Sequence, residues 1–193
     1  NLKAAIFKFA NQLLETAISE YTKNDFENAL SNFKEYLNLD KELLYDNLII
    51  YYKTILKCKN SNIEFGELNS HYIRLSSLKE SYLDKVSKRE PVTEDEENIN
   101  KLMTYQSHYK VGFGNYNGST IQEIINIDSH YILWCTINLY HFSLSPTLFL
   151  QESIKNESDY LEALEINLIK VDLVHRWTEE DDYQDWDDDH DDY

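Results

Sequence analysis

Ionisable side chains are densest at the C-terminal end of this 193-residue sequence. Residues 179–193 hold ten acids and no Lys or Arg, in a chain whose formal net charge is −17. Such a run repels itself and attracts basic surfaces. Aromatic rings interrupt it, and rings that must be hydrated or buried favour docking over the alternative, a solvated tail. We predict a tail that binds a protein partner with a basic surface through Asp181, Asp182, Tyr183, Asp185, Trp186, Asp187, Asp188, Asp189, Asp191 and Asp192.

The sequence contains no recognisable metal or cofactor motif. Asp185, Asp187 and Asp189 have the spacing that opens a calcium loop, but His190 stands where that loop needs glycine. The histidines lack the His-x-x-x-His spacing of zinc enzymes. The two cysteines are far apart and form no Cys-x-x-Cys pair. We therefore expect no metal, no cofactor and no disulfide framework, and we place the protein in the cytoplasm.

A catalytic set of side chains is also missing from the sequence. Cys135 follows Trp134 on an apolar helical stretch and is expected to pack as a small hydrophobic residue. Gly112 and Gly114 begin a dinucleotide-like spacing, but no further Gly-x-x-Gly and no strand–helix–strand pattern follow, so a tight turn is the better interpretation. Because no nucleophile, acid and base converge, we predict that the protein is not an enzyme.

A glycine-rich turn is the second feature that could bind a ligand. Three of the four glycines lie within residues 112–118, after an alternating stretch, 109–113, that predicts a short strand. Thr120 and Glu123 have the spacing of a capping box, and Asp128 is placed to cap a further helix. The residues predicted to form this glycine-turn module are Phe113, Gly114, Asn115, Tyr116, Asn117, Gly118, Asp128, Tyr131 and Trp134.

The pattern Phe-Gly-Asn-Tyr-Asn-Gly at 113–118, followed by Asp-x-x-Tyr-x-x-Trp at 128–134, resembles the C-terminal domain of exodeoxyribonuclease X-like proteins. The resemblance covers residues 106–145. In those relatives the module follows a magnesium-dependent exonuclease domain, whereas the N-terminal part of this chain is predicted to be helical. The family's turn usually carries lysines where this chain has Asn115 and Asn117. The resemblance thus implies a module that lacks the cationic contacts on which nucleic-acid affinity depends.

Helical periodicity dominates the N-terminal part of the chain. One apolar face runs through the first helix, Asn24 and Asp25 interrupt it, and Asp25 can cap the helix that follows. Residues 21–40 resemble the second half of a tetratricopeptide repeat, with the small Ala29 where two helices touch. Two further helices, 42–57 and 67–85, would form a degenerate second hairpin. The predicted face of the first helix consists of Ile6, Phe9, Leu13, Leu14, Ala17, Ile18 and Tyr21.

These patterns predict a mainly α fold in four parts. Residues 1–88 form tetratricopeptide-like helical hairpins, and the charged residues 89–100 form a linker. Residues 101–178 form a small α+β module with the glycine turn and a long C-terminal helix, and residues 179–193 form the acidic tail. With only 4 Gly and 2 Pro, turn-rich β folds are disfavoured. No apolar run reaches the length of a membrane span, so no membrane association is expected.

Two functions from different classes fit this organisation. The first is a non-catalytic protein-interaction protein, for example an inhibitor, immunity protein or accessory factor of a nucleic-acid-processing protein, which docks through its helical hairpins and acidic aromatic tail. The second is a nucleic-acid-binding module that retains the role of the exonuclease-associated domain. Nucleic acid as a partner is disfavoured by the charge of the chain, because phosphate and carboxylate groups repel one another.

Overall fold

The computed structural model describes residues 2–39, 43–59 and 70–184. The chain divides into two compact units, Asn1–Ile63 and Glu64–Tyr193. This division differs from the predicted boundaries at 88 and 100, because the fourth and fifth helices fall within the second unit. The end of the predicted tail, 185–193, lies outside the described residues.

The described residues of the first unit form three helices: α1 (Leu2–Thr22), α2 (Phe26–Asn38) and α3 (Tyr45–Cys58). Helices α1 and α2 pack closely because alanines lie between them: Ala10, Ala17 and Ala29 are all at most 1% exposed. The apolar face predicted for α1 is partly wrong, since Ile6 and Phe9 are 41% and 46% exposed. Small side chains bring helix backbones together, so the buried face of α1 is centred on its alanines rather than on its largest residues.

The turn between α1 and α2 differs in one detail from the sequence-based interpretation. Asn24 adopts a positive φ of 61°, which ends α1. The Asp25 carboxylate was expected to cap the backbone amides of α2, but it makes no such hydrogen bond. Instead, Asn28 Nδ2 donates to Asp25 Oδ2 at 2.8 Å, so the neighbouring side chain satisfies the carboxylate.

The second unit begins with α4 (Ser70–Lys88) and α5 (Glu94–Asn100). The sequence-based interpretation assigns 89–100 to a linker, yet α5 carries the predicted capping box at Thr93 and Glu96. Glu96 also accepts hydrogen bonds from Ser81 and Lys85 of α4, at 2.6 and 2.7 Å. The charged stretch is thus attached to α4 by a buried carboxylate.

The remaining described elements of the second unit end with the long helix α8. They are β1 (Met103–Tyr105), α6 (Ile121–Asn138), β2 (Phe142–Leu144), a 3-10 helix (Pro146–Leu150), α7 (Glu152–Lys155) and α8 (Tyr160–Gln184). Helix α8 is buried on most sides between Ala163 and Leu173, as expected of a central helix. Its contacts with α4 and α5 form a core of Leu75, Ile99, Ile169 and Leu173.

The strand predicted at 109–113 is not present; of these residues, only Lys110 makes a bridge, to Thr120. The two described strands, β1 and β2, pair in parallel, with Tyr105 opposite Leu144. Asn167 of α8 secures β2 because its Oδ1 accepts from the Leu144 amide at 2.6 Å. Its Nδ2 donates to the Leu144 carbonyl at 2.8 Å. The Asn167 side chain therefore makes the hydrogen bonds to Leu144 that the backbone of a third strand would make.

The mainly α class with a small α+β module is confirmed, including a long C-terminal helix. Resemblance of the first unit to a tetratricopeptide repeat stays a prediction. Among the described residues, every helix is too short or too polar to cross a bilayer.

Candidate functional site

A closed turn displays the two asparagines of the glycine-turn module. The Val111 amide donates to Ser119 O at 2.9 Å, and the Gly118 amide donates to Val111 O at 2.7 Å. These bonds hold the ends of the turn together. Asn115 and Asn117 are both exposed at its tip. Their amides can donate and accept hydrogen bonds, but they carry no charge.

Asp128 connects this turn to α6. It interrupts the helix with φ −154° and ψ 74°, so that α6 consists of two helical segments. Its Oδ1 accepts from the Tyr131 amide at 3.0 Å, which confirms the predicted cap. Its Oδ2 accepts from the Tyr116 hydroxyl at 2.9 Å, and this hydrogen bond raises the pKa of Tyr116. One carboxylate therefore fixes both the start of the second helical segment and the position of the turn.

Three rings, Tyr116, Tyr131 and Trp134, form what we call the aromatic face. The Tyr116 and Tyr131 rings meet edge to face with centroids 4.9 Å apart. Tyr131 and Trp134 lie nearly parallel, with an interplanar angle of 22° and centroids 6.3 Å apart. Trp134 nevertheless remains 45% exposed. An indole ring that is partly exposed to solvent can bind aromatic, apolar or cationic groups of a partner.

Phe113 has a different role from the rest of the predicted module. Its ring packs edge to face against Tyr105 of β1, His141 and Phe142 of β2, with centroid distances of 6.5, 4.9 and 5.9 Å. Phe113 thus anchors the turn to the small sheet. It faces the core of the unit rather than the aromatic face.

Behind the aromatic face, one side of α6 is buried. Cys135 is 1% exposed, and burial raises the pKa of its thiol to about 11, so it remains protonated near neutral pH. This agrees with its predicted packing role. Lys170, which sequence reasoning missed, lies against the end of α6. Its Nζ donates to the carbonyl oxygens of Thr136, Leu139 and Phe142 at 2.6, 2.7 and 3.1 Å.

Acids outnumber bases around the module. Lys110 is the base in the turn region, and Glu123 closes a capping box with Thr120. The Nδ1 atom of His130 lies 3.9 Å from Glu157 Oε2 and 3.7 Å from Asp159 Oδ2. Within the described ranges, no group of three or more His, Cys, Asp or Glu side chains could hold a metal ion. The module offers ring surfaces and amide hydrogen bonds for binding.

The structure brings together most of the predicted module. Tyr116, Asp128, Tyr131 and Trp134 are in direct contact, and Gly114 lies against Tyr131. Helix α8 extends to Gln184, so the first residues of the predicted tail continue this helix. The predicted binding residues Asp185, Trp186, Asp187, Asp188, Asp189, Asp191 and Asp192 lie outside the described residues.

Comparison with known protein families agrees with this geometry. A family model described as exodeoxyribonuclease X-like C-terminal matches residues 112–140, that is, the turn and α6. The match confirms the resemblance inferred from the Phe-Gly and Asp-x-x-Tyr patterns. No curated protein and no solved structure matched the chain.

Proposed function

We propose that this protein is a non-catalytic interaction protein whose aromatic face docks onto another protein. The partner we propose is a nucleic-acid-processing protein, for which this chain acts as an accessory factor or inhibitor. The observation that carries this proposal is the exposure of Trp134, whose ring lies nearly parallel to that of Tyr131 and is 45% open to solvent. Tryptophan and tyrosine side chains of this kind often dominate the binding energy of protein interfaces.

The charge of the chain supports a protein partner with a basic surface. Its net charge is −17, and ten of its acids lie in residues 179–193. Proteins that act on nucleic acids carry basic surfaces for phosphate, and clustered carboxylates are complementary to such surfaces. In this proposal the acidic tail speeds association, while the aromatic face supplies the specific contact.

Site-specific photo-crosslinking tests this proposal. A benzophenone side chain is introduced at position 134 of the full chain, and covalent adducts formed in the native host are identified by mass spectrometry. The matched control places the same group at Ser153, which is exposed on α7. We expect a protein adduct at position 134 that is missing at position 153. Identical adducts at both positions, or nuclease-sensitive adducts at 134, would refute the proposal.

The role of the tail is tested separately by deleting residues 185–193 in the crosslinking variant and forming the adducts in a lysate of the native host at several salt concentrations. We expect the same adduct at position 134 with a lower yield, and a loss that grows as salt is reduced, because attraction between charges is strongest at low ionic strength. An unchanged yield at low salt would remove the tail from the proposal and leave the aromatic face intact.

A nucleic-acid-binding module is the second candidate function. It is favoured by the exposed amides of Asn115 and Asn117 beside Tyr116, because such groups can bind a sugar–phosphate strand and stack on bases. It lacks the cationic contacts that supply most of the affinity. Replacing both asparagines with lysine should therefore create binding to an oligonucleotide where the unaltered chain shows little.

A further inference from the structure

A cleft in the second unit, apart from the aromatic face, lies between α4, the end of α6 and α8. Its volume is about 310 Å³, and its lining includes Arg74, Leu75, Ile137, Tyr140, Glu162 and Ile166. A volume of this order is at the lower end of the range for small-molecule sites. The cleft is therefore large enough for a small ligand.

Arg74 forms one charged side of this cleft. Its guanidinium donates a hydrogen bond to the Tyr140 hydroxyl, and its Cζ lies 5.3 Å from the centroid of the Tyr140 ring. These contacts hold the side chain but leave other N–H groups of the guanidinium available. Among the described residues, Arg74 has no carboxylate partner, although the chain has nearly twice as many acids as bases.

Glu162 supplies a negative charge to the lining of the cleft. It lies near the start of α8 and is exposed, and none of the described residues supplies a cation or a hydrogen-bond donor for its carboxylate. Lys170, four residues beyond Ile166 on the same helix, also lines the cleft. It cannot serve as the partner of a ligand, because its Nζ already lies within hydrogen-bond distance of three backbone carbonyls.

A guanidinium and a carboxylate thus line one small cleft without pairing with each other, and Leu75, Ile137 and Ile166 lie with them. We propose that this cleft binds a free α-amino acid with an apolar side chain. The amino acid's carboxylate pairs with Arg74, its ammonium group pairs with Glu162, and its side chain lies against the apolar residues. Charged hydrogen bonds to both groups on the ligand's Cα would select a zwitterion over molecules that carry one charge.

Titration of the ¹⁵N-labelled full chain by NMR tests this proposal with four probes. Leucine carries both charges, N-acetyl-leucine only the carboxylate, and leucinamide only the ammonium group. Leucyl-glycine separates the two charges and so distinguishes a free amino acid from a peptide. We expect saturable shifts of the amides near residues 74 and 137–140 with leucine. Each of the other probes should bind about tenfold more weakly, the effect of losing one charged hydrogen bond.

Two variants test which residue binds the carboxylate and which binds the ammonium group of the ligand. In Arg74→Gln, leucine should bind no better than leucinamide. In Glu162→Gln, leucine should bind no better than N-acetyl-leucine. The matched controls are Arg176→Gln, whose guanidinium pairs with Asp172 at 2.9 Å, and Glu80→Gln, on an exposed position of α4. Both controls should bind leucine as the unaltered chain does.

Several results would overturn the proposal. They are the absence of saturable shifts up to about 20 mM leucine, equal binding of leucine and its singly charged analogues, or tighter binding of the dipeptide. Because the probe series is measured on the unaltered chain, it decides the question even if a variant fails to fold.

Discussion

The hydroxyl group of Tyr131 occupies the place where a side chain on Gly114 would begin. A Cβ built on Gly114 falls far inside contact distance of the Tyr131 Oη atom, and Gly114 has a positive φ of 64°. The turn and the aromatic face therefore fit together only when residue 114 lacks a side chain. Since Tyr131 also stacks on Trp134, this contact connects the glycine turn to the exposed indole.

Gly114→Ala should destabilise the fold by about 1–3 kcal/mol, because it combines a strained φ with a displaced Tyr131 ring. Chemical denaturation measures the loss, and near-ultraviolet circular dichroism reports the ring. Gly118→Ala is the matched control: its φ is 91°, but no atom lies within 4 Å of its Cβ position. Gly118→Ala should lose only the stability that the strained φ costs. Tyr131→Phe should partly rescue Gly114→Ala, and no rescue would contradict the steric explanation.

Glu96 should make the stability of the second unit sensitive to acid. Hydrogen bonds lower the pKa of Glu96 to about 2, of which the one from Lys85 has the largest effect and the one from Ser81 the next largest. A depressed carboxyl pKa adds stability above the unfolded value near 4.3, and this stability is lost as the pH falls towards 2. The difference in unfolding free energy between the unaltered chain and Glu96→Gln should therefore be largest at neutral pH and shrink below about pH 4.

The control for this titration is Glu97→Gln. Glu97 pairs with Lys101 at 3.1 Å, but its side chain is 55% exposed, and pairs of this kind contribute little. The stability difference for this variant should be small at every pH. If Glu96→Gln behaved in the same way, the carboxylate would not secure α5 to α4.

Lys170 is predicted to stabilise the end of α6 while its own ammonium form is disfavoured. Lys170→Met leaves three carbonyl groups without this donor and should cost about 2 kcal/mol or more. Burial lowers the pKa of Lys170 to about 7. Above pH 7 the Lys170 amine is protonated in the unfolded chain but not in the folded chain. The unfolding free energy of the unaltered chain should therefore increase with pH, relative to that of Lys170→Met, between pH 7 and about 9.

Lys110→Met is the comparison for Lys170, because Lys110 is exposed at the turn. Its stability difference should be small. A constant difference for Lys170→Met would mean that its three carbonyl acceptors keep the lysine protonated, in spite of its burial.

Trp134 is expected to contribute more to binding than to folding. Since it is 45% exposed, Trp134→Ala should cost no more than about 1.5 kcal/mol of stability. Ile132→Ala, at a position that is 0% exposed on the same helix, should cost about 2–5 kcal/mol. Thermal denaturation of the two variants makes this comparison. A loss at Trp134 as large as that at Ile132 would show that the indole is needed for the fold.

Local features of the fold could be predicted from the sequence because they involve residues three apart. The capping boxes of Thr93 with Glu96 and Thr120 with Glu123, and the cap at Asp128, are present as expected. Each depends on a backbone amide and a side chain within the same turn of helix. The family resemblance came from the glycine-turn pattern at 113–118 and from the Asp-x-x-Tyr-x-x-Trp pattern at 128–134.

Long-range features could not be predicted in this way. Strands β1 and β2 are short and far apart in the chain, and Asn167 of α8 makes two hydrogen bonds to Leu144 of β2. One signal was available: Asn167 and Lys170 interrupt an apolar helix, and buried polar groups need partners. The sequence does not show which carbonyls supply them. The Arg74 and Glu162 cleft was missed for the same reason, since its sides come from separate helices.

The central claim is that the glycine turn and aromatic face bind protein rather than polynucleotide. The most direct test is an NMR titration of the ¹⁵N-labelled full chain with single-stranded DNA and RNA oligomers at low salt, where electrostatic binding is strongest. We predict no saturable shifts in residues 112–120, and the appearance of such shifts when Asn115 and Asn117 are both replaced by lysine. Micromolar binding by the unaltered chain, lost on replacing Asn115 and Tyr116 with alanine, would contradict the claim.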